Sequence, residues 1–369
     1  GGHAAAGCEG LAPASNVALR SGVEMPALGL GTRQLEPGGK CQEAVRAALR
    51  AGYRLVDTAA AYGNEEDVGN AVRGAGLRRE DVFLVTKLAP ADHGGVEEVL
   101  EALQASLKRL ATSYVDLYLV HSPKGGSLLE TWDAMLEMRA RGLARVVGVA
   151  NFGAAHLQSL AAAEREMPEV NQVELHFANQ QRPLAAVCAR AGVRLMAACP
   201  LARGRLFGGA TALGALAARR GRSEAELAIR WCMQRGFVPI PKTKDGSRVE
   251  ANAPFGFSLG AGEMAEIDAL DRGFSVSTAT KSLALPWEEV AGELSEVSEA
   301  DVGDARPPRR RKKRRQKGKG KGKGKGSDSK GTGGSKGGGS KGGARQAGGG
   351  GRGGGTAAER WSSMLSGLS

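Results

Sequence analysis

Cysteine is scarce and scattered in this 369-residue chain: Cys8, Cys41, Cys188, Cys199 and Cys232 form no C-x-x-C pair and have no histidine at ligand spacing. That excludes a disulfide framework and a cysteine-based metal site. It points instead to reduced thiols, most of them buried as small apolar residues, in a cytoplasmic compartment. Long hydrophobic runs are missing as well, so no transmembrane helix is expected. The opening Gly-Gly-His-Ala-Ala-Ala-Gly lacks both an initiator Met and the basic-then-apolar pattern of a secretion signal. A lost N-terminal targeting segment remains compatible with it.

What the chain has in excess is glycine, 56 residues, and positive charge, a net +12. Both gather at the C-terminus. Residues 301–369 carry 19 Lys+Arg against 4 Asp+Glu, and the rest of the chain carries 32 against 35, so the tail stands at +15 and the remainder at −3. An acidic segment ends at Asp304, then come Arg309-Arg-Arg-Lys-Lys-Arg-Arg315, a Lys-Gly alternation through Lys325, and Gly/Ser/Lys repeats. Such a segment cannot bury enough apolar surface to offset its ordering entropy, so residues 291–369 read as a disordered low-complexity tail, and residues 1–16 as a disordered start. The run from Arg309 to Arg315 fits a nuclear-localisation pattern. The tail's charge suits nonspecific contact with nucleic acid or an anionic surface, weakened by salt. Trp361 is the tail's one aromatic residue, so base-selective recognition is not expected.

Between residues 17 and 290 the pattern is different. Short apolar runs alternate with longer amphipathic stretches, as in repeated β-then-α units around a parallel sheet. Eight runs read as strands: Ala27-Leu-Gly-Leu-Gly31, Arg54-Leu-Val-Asp57, Val82-Phe-Leu-Val-Thr86, Val115-Asp-Leu-Tyr-Leu-Val120, Arg145-Val-Val-Gly-Val149, Val170-Asn-Gln-Val173, Val193-Arg-Leu-Met-Ala197 and Phe237-Val-Pro-Ile240. Among the intervening helical patterns, Val96, Val99, Leu100, Leu103, Leu107 and Leu110 recur at three- and four-residue steps. Eight strands and eight helical segments make a (β/α)8 TIM barrel of the α/β class. A doubly wound sheet would carry G-x-G-x-x-G after its first strand, and here Gly29-Leu-Gly31 continues as Thr32-Arg33-Gln34.

In such a barrel, reactive side chains project from the C-terminal ends of strands. Asp57 closes the second strand, Tyr62 follows in its loop, Lys87 closes the third and His121 the fourth. Singly, each has a bland explanation as a cap or a solvated side chain. Together they form a coherent set for reducing a carbonyl. A phenol can donate the proton that a developing alkoxide needs if an ammonium lowers its pKa, and a carboxylate can hold that ammonium. His121 would orient the carbonyl or assist the transfer. The hydride must come from a cofactor. No metal is called for.

Asp57-Thr-Ala-Ala-Ala-Tyr-Gly-Asn-Glu65 with Val68-Gly69, Val85-Thr-Lys87, Leu119-Val-His-Ser-Pro123, Gly148-Val-Ala-Asn-Phe152, Asn171-Gln-Val-Glu174 and Ile240-Pro-Lys242 with Arg248 and Asn252 follow one another in an order that resembles the aldo-keto reductases. The resemblance implies a monomeric barrel that binds NADP(H) and reduces a small aldehyde or ketone to an alcohol. It makes Tyr62 the general acid, supported by Asp57, Lys87 and His121. It assigns Asn151 and Gln172 to the nicotinamide carboxamide, Lys242, Thr243 and Arg248 to the 2′-phosphate region, and Asn252 to the adenine. Two cations after the last strand independently suit a phosphate ester.

Four positions depart from the family pattern. Ala150 stands where a serine is usual, Ala198 where a tyrosine stacks on the nicotinamide, Arg33 where an aromatic often follows G-L-G-T, and Ser122 where a tryptophan commonly follows the histidine. Arg33 and Ser122 imply a more polar, anion-tolerant pocket, and residues 274–287 supply a closing segment with Trp287 as its apolar contact. Ala150 and Ala198 keep a second reading open, a barrel that binds NADP(H) weakly or without turnover and serves as a regulatory module. If barrel and tail are separate, a chain cut after Ala305 should retain carbonyl reduction within about twofold in steady-state assays, because the tail carries none of the site residues. Collapse of turnover in that chain would contradict the separation.

Overall fold

Eight parallel strands form at the eight apolar runs. The structure, a computed structural model, describes residues 15–208, 211–243, 248–249, 252–253, 256–277 and 283. The expectations for Trp287 and the basic tail lie outside these residues. Two short antiparallel strands come first, β1 (Asn16–Ala18) and β2 (Glu24–Pro26). The barrel follows as β3 (Gly29–Gly31), β4 (Leu55–Asp57), β5 (Phe83–Leu88), β6 (Val115–Val120), β7 (Ala144–Ala150), β8 (Val170–Glu174), β9 (Arg194–Ala198) and β10 (Val238–Pro239). Each barrel strand pairs in parallel with the next in sequence. The first meets the last where Gly31 N donates to Pro241 O at 3.1 Å. Glycine is required there, because a Cβ on Gly31 would stand 2.9 Å from Ile240 O.

Strand alternation sorts the core into two layers. Leu55, Phe83, Val85, Leu117, Leu119, Val146 and Met196 fill the barrel interior. Val56, Leu84, Tyr118, Val147 and Leu195 face outward against the helices. Asp57, Lys87, Gln172 and Glu174 therefore share the inward face with Leu55, Val85 and Val170, two or four residues along each strand. The β1–β2 hairpin was not expected from the sequence. It sends Leu19 and Met25 into the interior layer.

The helical ring comprises α1 (Lys40–Arg50), α2 (Glu65–Arg73), α3 (Val96–Leu110), α4 (Leu128–Ala140), α5 (Ala154–Ala162), α6 (Arg182–Arg190), α7 (Ala212–Arg220), α8 (Glu224–Gln234) and α9 (Ala261–Asp268). The spacing reading of α3 holds to the residue. Acidic Glu97 and Glu98 in its first turn and Lys108 and Arg109 in its last complement its dipole. Val96 departs from that reading by staying exposed. The count of one helix per connection also needs correcting: the chain between β9 and β10 makes two. Gly221, left-handed at φ 58°, ends α7, and Ser223 with Glu226 forms a reciprocal cap that starts α8.

Two helical glycines separate packing from propensity. A Cβ on Gly69, in α2, would lie 2.4 Å from Leu110 O at the end of α3, whereas one on Gly262, in α9, meets nothing within 4 Å. Gly69→Ala should cost about 1–3 kcal/mol in urea unfolding despite alanine's better helix propensity. Gly262→Ala should gain about 0.5–1 kcal/mol. Equal effects of the two would contradict the close approach of α2 to α3.

Candidate active site

Lys87 is fully buried and its ammonium is held on three sides. Nζ donates to Asp57 Oδ1 at 2.7 Å, to Asp57 Oδ2 at 2.8 Å and to Thr58 O at 2.7 Å. The register that sets Asp57 beside Val85 brings the two side chains together from adjacent strands. Gln172 Nε2 donates to Asp57 Oδ2 at 2.7 Å, reaching the same carboxylate from β8. Sequence reasoning placed Gln172 with the nicotinamide alone; its amide also belongs to this network.

Tyr62 ends a short 3-10 turn, Ala60–Tyr62, closed by Gly63 at φ 66°. Lys87 Nζ lies 4.8 Å from the Tyr62 ring centroid, and the His121 ring stands edge-on at 5.5 Å and 76°. His121 follows β6, with its N–H on Leu88 O at 3.1 Å. The four residues singled out from the sequence are thus brought to one place at the C-terminal ends of β4, β5 and β6.

Burial pushes the Tyr62 phenol above its ordinary range; Lys87 and Arg33 pull it down, and Asp57 pushes it up. The sequence expectation that the ammonium would lower this pKa holds for the ammonium's own influence, but burial outweighs it. Burial pulls against the charge of Lys87 too, yet Asp57 and Tyr62 prevail and its pKa is raised. His121 is held well below the usual histidine range by burial first, then by Lys87, Arg33 and His93. The resting site therefore holds a charged lysine, a protonated phenol and a neutral imidazole.

Residues the sequence reading did not assign bracket the tyrosine loop. Asn64, 1% exposed, donates through Nδ2 to Thr32 O and Leu35 O, both at 3.0 Å, and accepts from Thr58 Oγ1 at 2.8 Å. Thr32 Oγ1 in turn donates to Asp57 O at 3.0 Å. Glu65, also buried, accepts from Thr86 Oγ1 and Arg109 Nε, each at 2.6 Å. The only signal for these roles was their place inside or beside the quoted motifs.

The remaining site residues line the same rim. Asn151 sits in the left-handed region at φ 62°, its Nδ2 donating to His121 O at 2.9 Å and its N–H to Gln172 O at 2.9 Å. Arg33, just past β3, and Ser122, beside His121, are half-buried. Ser122 Oγ accepts from Lys124 N at 3.3 Å and so caps the turn Pro123–Gly125. After β10, Lys242 is exposed and Thr243 buried, and Asn252 N donates to Arg248 O at 2.9 Å, one turn joining those two residues. Ala150 faces the interior and Ala198 is half-buried against it. Cys41, Cys188 and Cys232 are buried and Cys199 is half-buried. Among the described residues no group of His, Cys, Asp or Glu is arranged to hold a metal, and no helix is long and apolar enough to cross a membrane.

A closed parallel barrel with a polar cluster at the C-terminal ends of its strands is the architecture of a barrel enzyme. The chain belongs to the aldo-keto reductases: the sequence profile described as the Aldo/keto reductase family matches residues 27–272. An aldo-keto reductase of Mycolicibacterium vanbaalenii is 42% identical over 70% of this chain and 92% of its own length. The glyoxal reductase of Bacillus subtilis is 40% identical over 69% and 92%. Among solved structures, an aldo-keto reductase from Brucella melitensis superposes with a TM-score of 0.67 at 38% identity, over 70% of this chain and 98% of that one. A Bombyx mori aldo-keto reductase in complex with NADP gives 0.65 at 34%, over 71% and 95%.

These protonation states fix a pH profile. If Tyr62 is the proton donor, its protonated form is the one required, and because its pKa is raised, activity should be lost only as pH rises past the ordinary tyrosine value of about 10. A neutral His121 has nothing to lose at neutral pH. kcat/KM for carbonyl reduction should be flat from about pH 6 to 9, and a step near 6.5 that vanishes in His121→Asn would contradict the assignment.

Proposed function

We propose that this protein is an NADPH-dependent reductase of aldehydes or ketones in which Tyr62 donates the proton. The observation that carries the proposal is the Lys87 ammonium, fixed by Asp57 at 2.7 and 2.8 Å and set 4.8 Å from the Tyr62 ring. The donor set also fits the cofactor. Lys242 and Arg248 offer cations and Thr243 a hydroxyl for a 2′-phosphate, Asn252 offers a buried amide for the adenine, and Asn151 and Gln172 offer amides at neighbouring strand ends for a carboxamide. NADPH, when bound, supplies the hydride that no side chain can.

The chain's own residues do the rest. A carbonyl oxygen lodged between the Tyr62 hydroxyl and neutral His121 is polarised by two hydrogen-bond donors. As negative charge grows on that oxygen, the fixed Lys87 charge stabilises it and the phenol releases its proton to it. The resulting phenolate is favoured by the same lysine, and Asp57 keeps the lysine charged throughout. Burial of Lys87 and Asp57 strengthens each of these effects. Arg33 adds a positive charge at the mouth, favouring carbonyl substrates that carry an anionic group over neutral aromatic ones.

Ala150 and Ala198 support a second reading, a barrel that binds NADP(H) without turning over. One set of assays separates the two. NADPH oxidation across an aldehyde and ketone panel, including a carboxylate-bearing aldehyde, should show turnover, and Tyr62→Phe should lower kcat/KM by about 10²- to 10⁴-fold while NADPH quenching of tryptophan fluorescence is preserved. Equal turnover by both proteins would remove Tyr62 as donor. Saturable quenching with no turnover of any substrate would establish the binding module.

A further inference from the structure

Glu174, the last residue of β8, has no part in proton transfer, yet it is 3% exposed and its carboxylate is densely bonded. Oε1 accepts from Val276 N at 2.6 Å and stands 3.1 Å from His176 Nε2. Oε2 accepts from Ser277 N at 2.8 Å and from Ser275 Oγ at 2.9 Å. Three of these four partners belong to residues 275–277, which lie beyond α9 and form neither helix nor strand. The chain just before them is tied to the connection after β8, where Phe274 N donates to Ala178 O at 2.8 Å. Farther along, the Leu283 backbone stands directly against Gly153, beyond the end of β7. Residues 275–277, without secondary structure of their own, thus each bond to one buried carboxylate at the rim.

The pinning point is significant. Glu174 shares the inward face of β8 with Gln172, whose amide holds Asp57, and lies one step nearer the mouth. We propose that Glu174 is a positioning residue that fixes residues 275–277 as a wall of the site beside Gln172, and thereby sets which carbonyl substrates enter. The specificity half of this inference rests on the reductase reading; the clamp itself does not. Acceptor chemistry makes the clamp strict. A carboxylate presents only acceptors, whereas the amide of a glutamine of the same shape would turn an NH2 donor toward the N–H of Val276 or Ser277.

Hydrogen exchange on the full-length chain reads the clamp directly. Glu174→Gln should speed exchange of the Val276 and Ser277 amides by about tenfold or more while the β8 and β9 ladder amides keep their protection. Glu174→Asp, which keeps two acceptors but withdraws them by one methylene, should give a smaller increase in the same two amides. In steady-state kinetics Glu174→Gln should shift the ratio of kcat/KM between a bulky and a small aldehyde by about fivefold, with kcat for the small one within about twofold of the parent. Unchanged exchange in both variants would overturn the clamp. Faster exchange with an unaltered substrate ratio would overturn the wall. A parent protein that turns over no carbonyl at all would defeat the reductase reading and the specificity claim with it, while exchange would still decide the clamp.

Discussion

Everything at the mouth of this barrel turns on one buried ion pair, Lys87 with Asp57. Burying an ammonium ordinarily drives it toward neutrality. Here both carboxylate oxygens and the Thr58 carbonyl surround Nζ at 2.7–2.8 Å, and the charge is retained. Buried ion pairs are poor stabilisers against a well-packed apolar alternative, so stability alone does not account for this one. Its effect is local and electrostatic: a fixed positive charge beside a phenol in surroundings that magnify it. Asp57 meets β8 as well as β5 through Gln172 Nε2 at 2.7 Å, so strands on different sides of the barrel are held to the same carboxylate.

Around that pair the fold supplies rigid brackets rather than further reactive groups. Asn64 joins the loops after β3 and β4, and Glu65 joins α2 to β5 and α3. These contacts immobilise the short turn that presents Tyr62. Glu174 does similar work on the far side of the same rim, gathering a segment from beyond α9. The buried polar residues nearest the ion pair, Asn64, Glu65 and Gln172, are bonded to it or to the elements around it, as expected where an unpaired group would be costly.

The sequence was most informative where physics is local. Barrel strands flanked by helices are apolar on both faces, so their runs were visible, and α3 announced itself by its spacing. The β1–β2 hairpin escaped because three-residue strands carry too little alternation. The division of α7 from α8 escaped although Gly221 and the Ser223 to Glu226 cap were present to mark it. The grouping of Asp57, Tyr62, Lys87 and His121 was legible because a barrel brings strand ends together whatever their separation in the chain. The partnerships of Asn64 with Leu35, Gln172 with Asp57 and Glu174 with Val276 were not, since each joins residues whose proximity only the closed structure creates. The net effect of the surroundings on Tyr62 was likewise hidden: the lysine was readable and the degree of burial was not.

Lys87 lowers the pKa of Tyr62 through space, against the larger raising effect of burial. Labelling the tyrosine ring with ¹³C and following the Tyr62 resonance through an alkaline titration measures this directly, with Tyr62→Phe assigning the signal. The phenol should titrate above the ordinary value of about 10 in the parent, and higher still in Lys87→Met, where the largest lowering influence is gone and Arg33 alone opposes burial and the Asp57 charge. A phenol in Lys87→Met that titrates at the parent's value, or below it, would contradict the account.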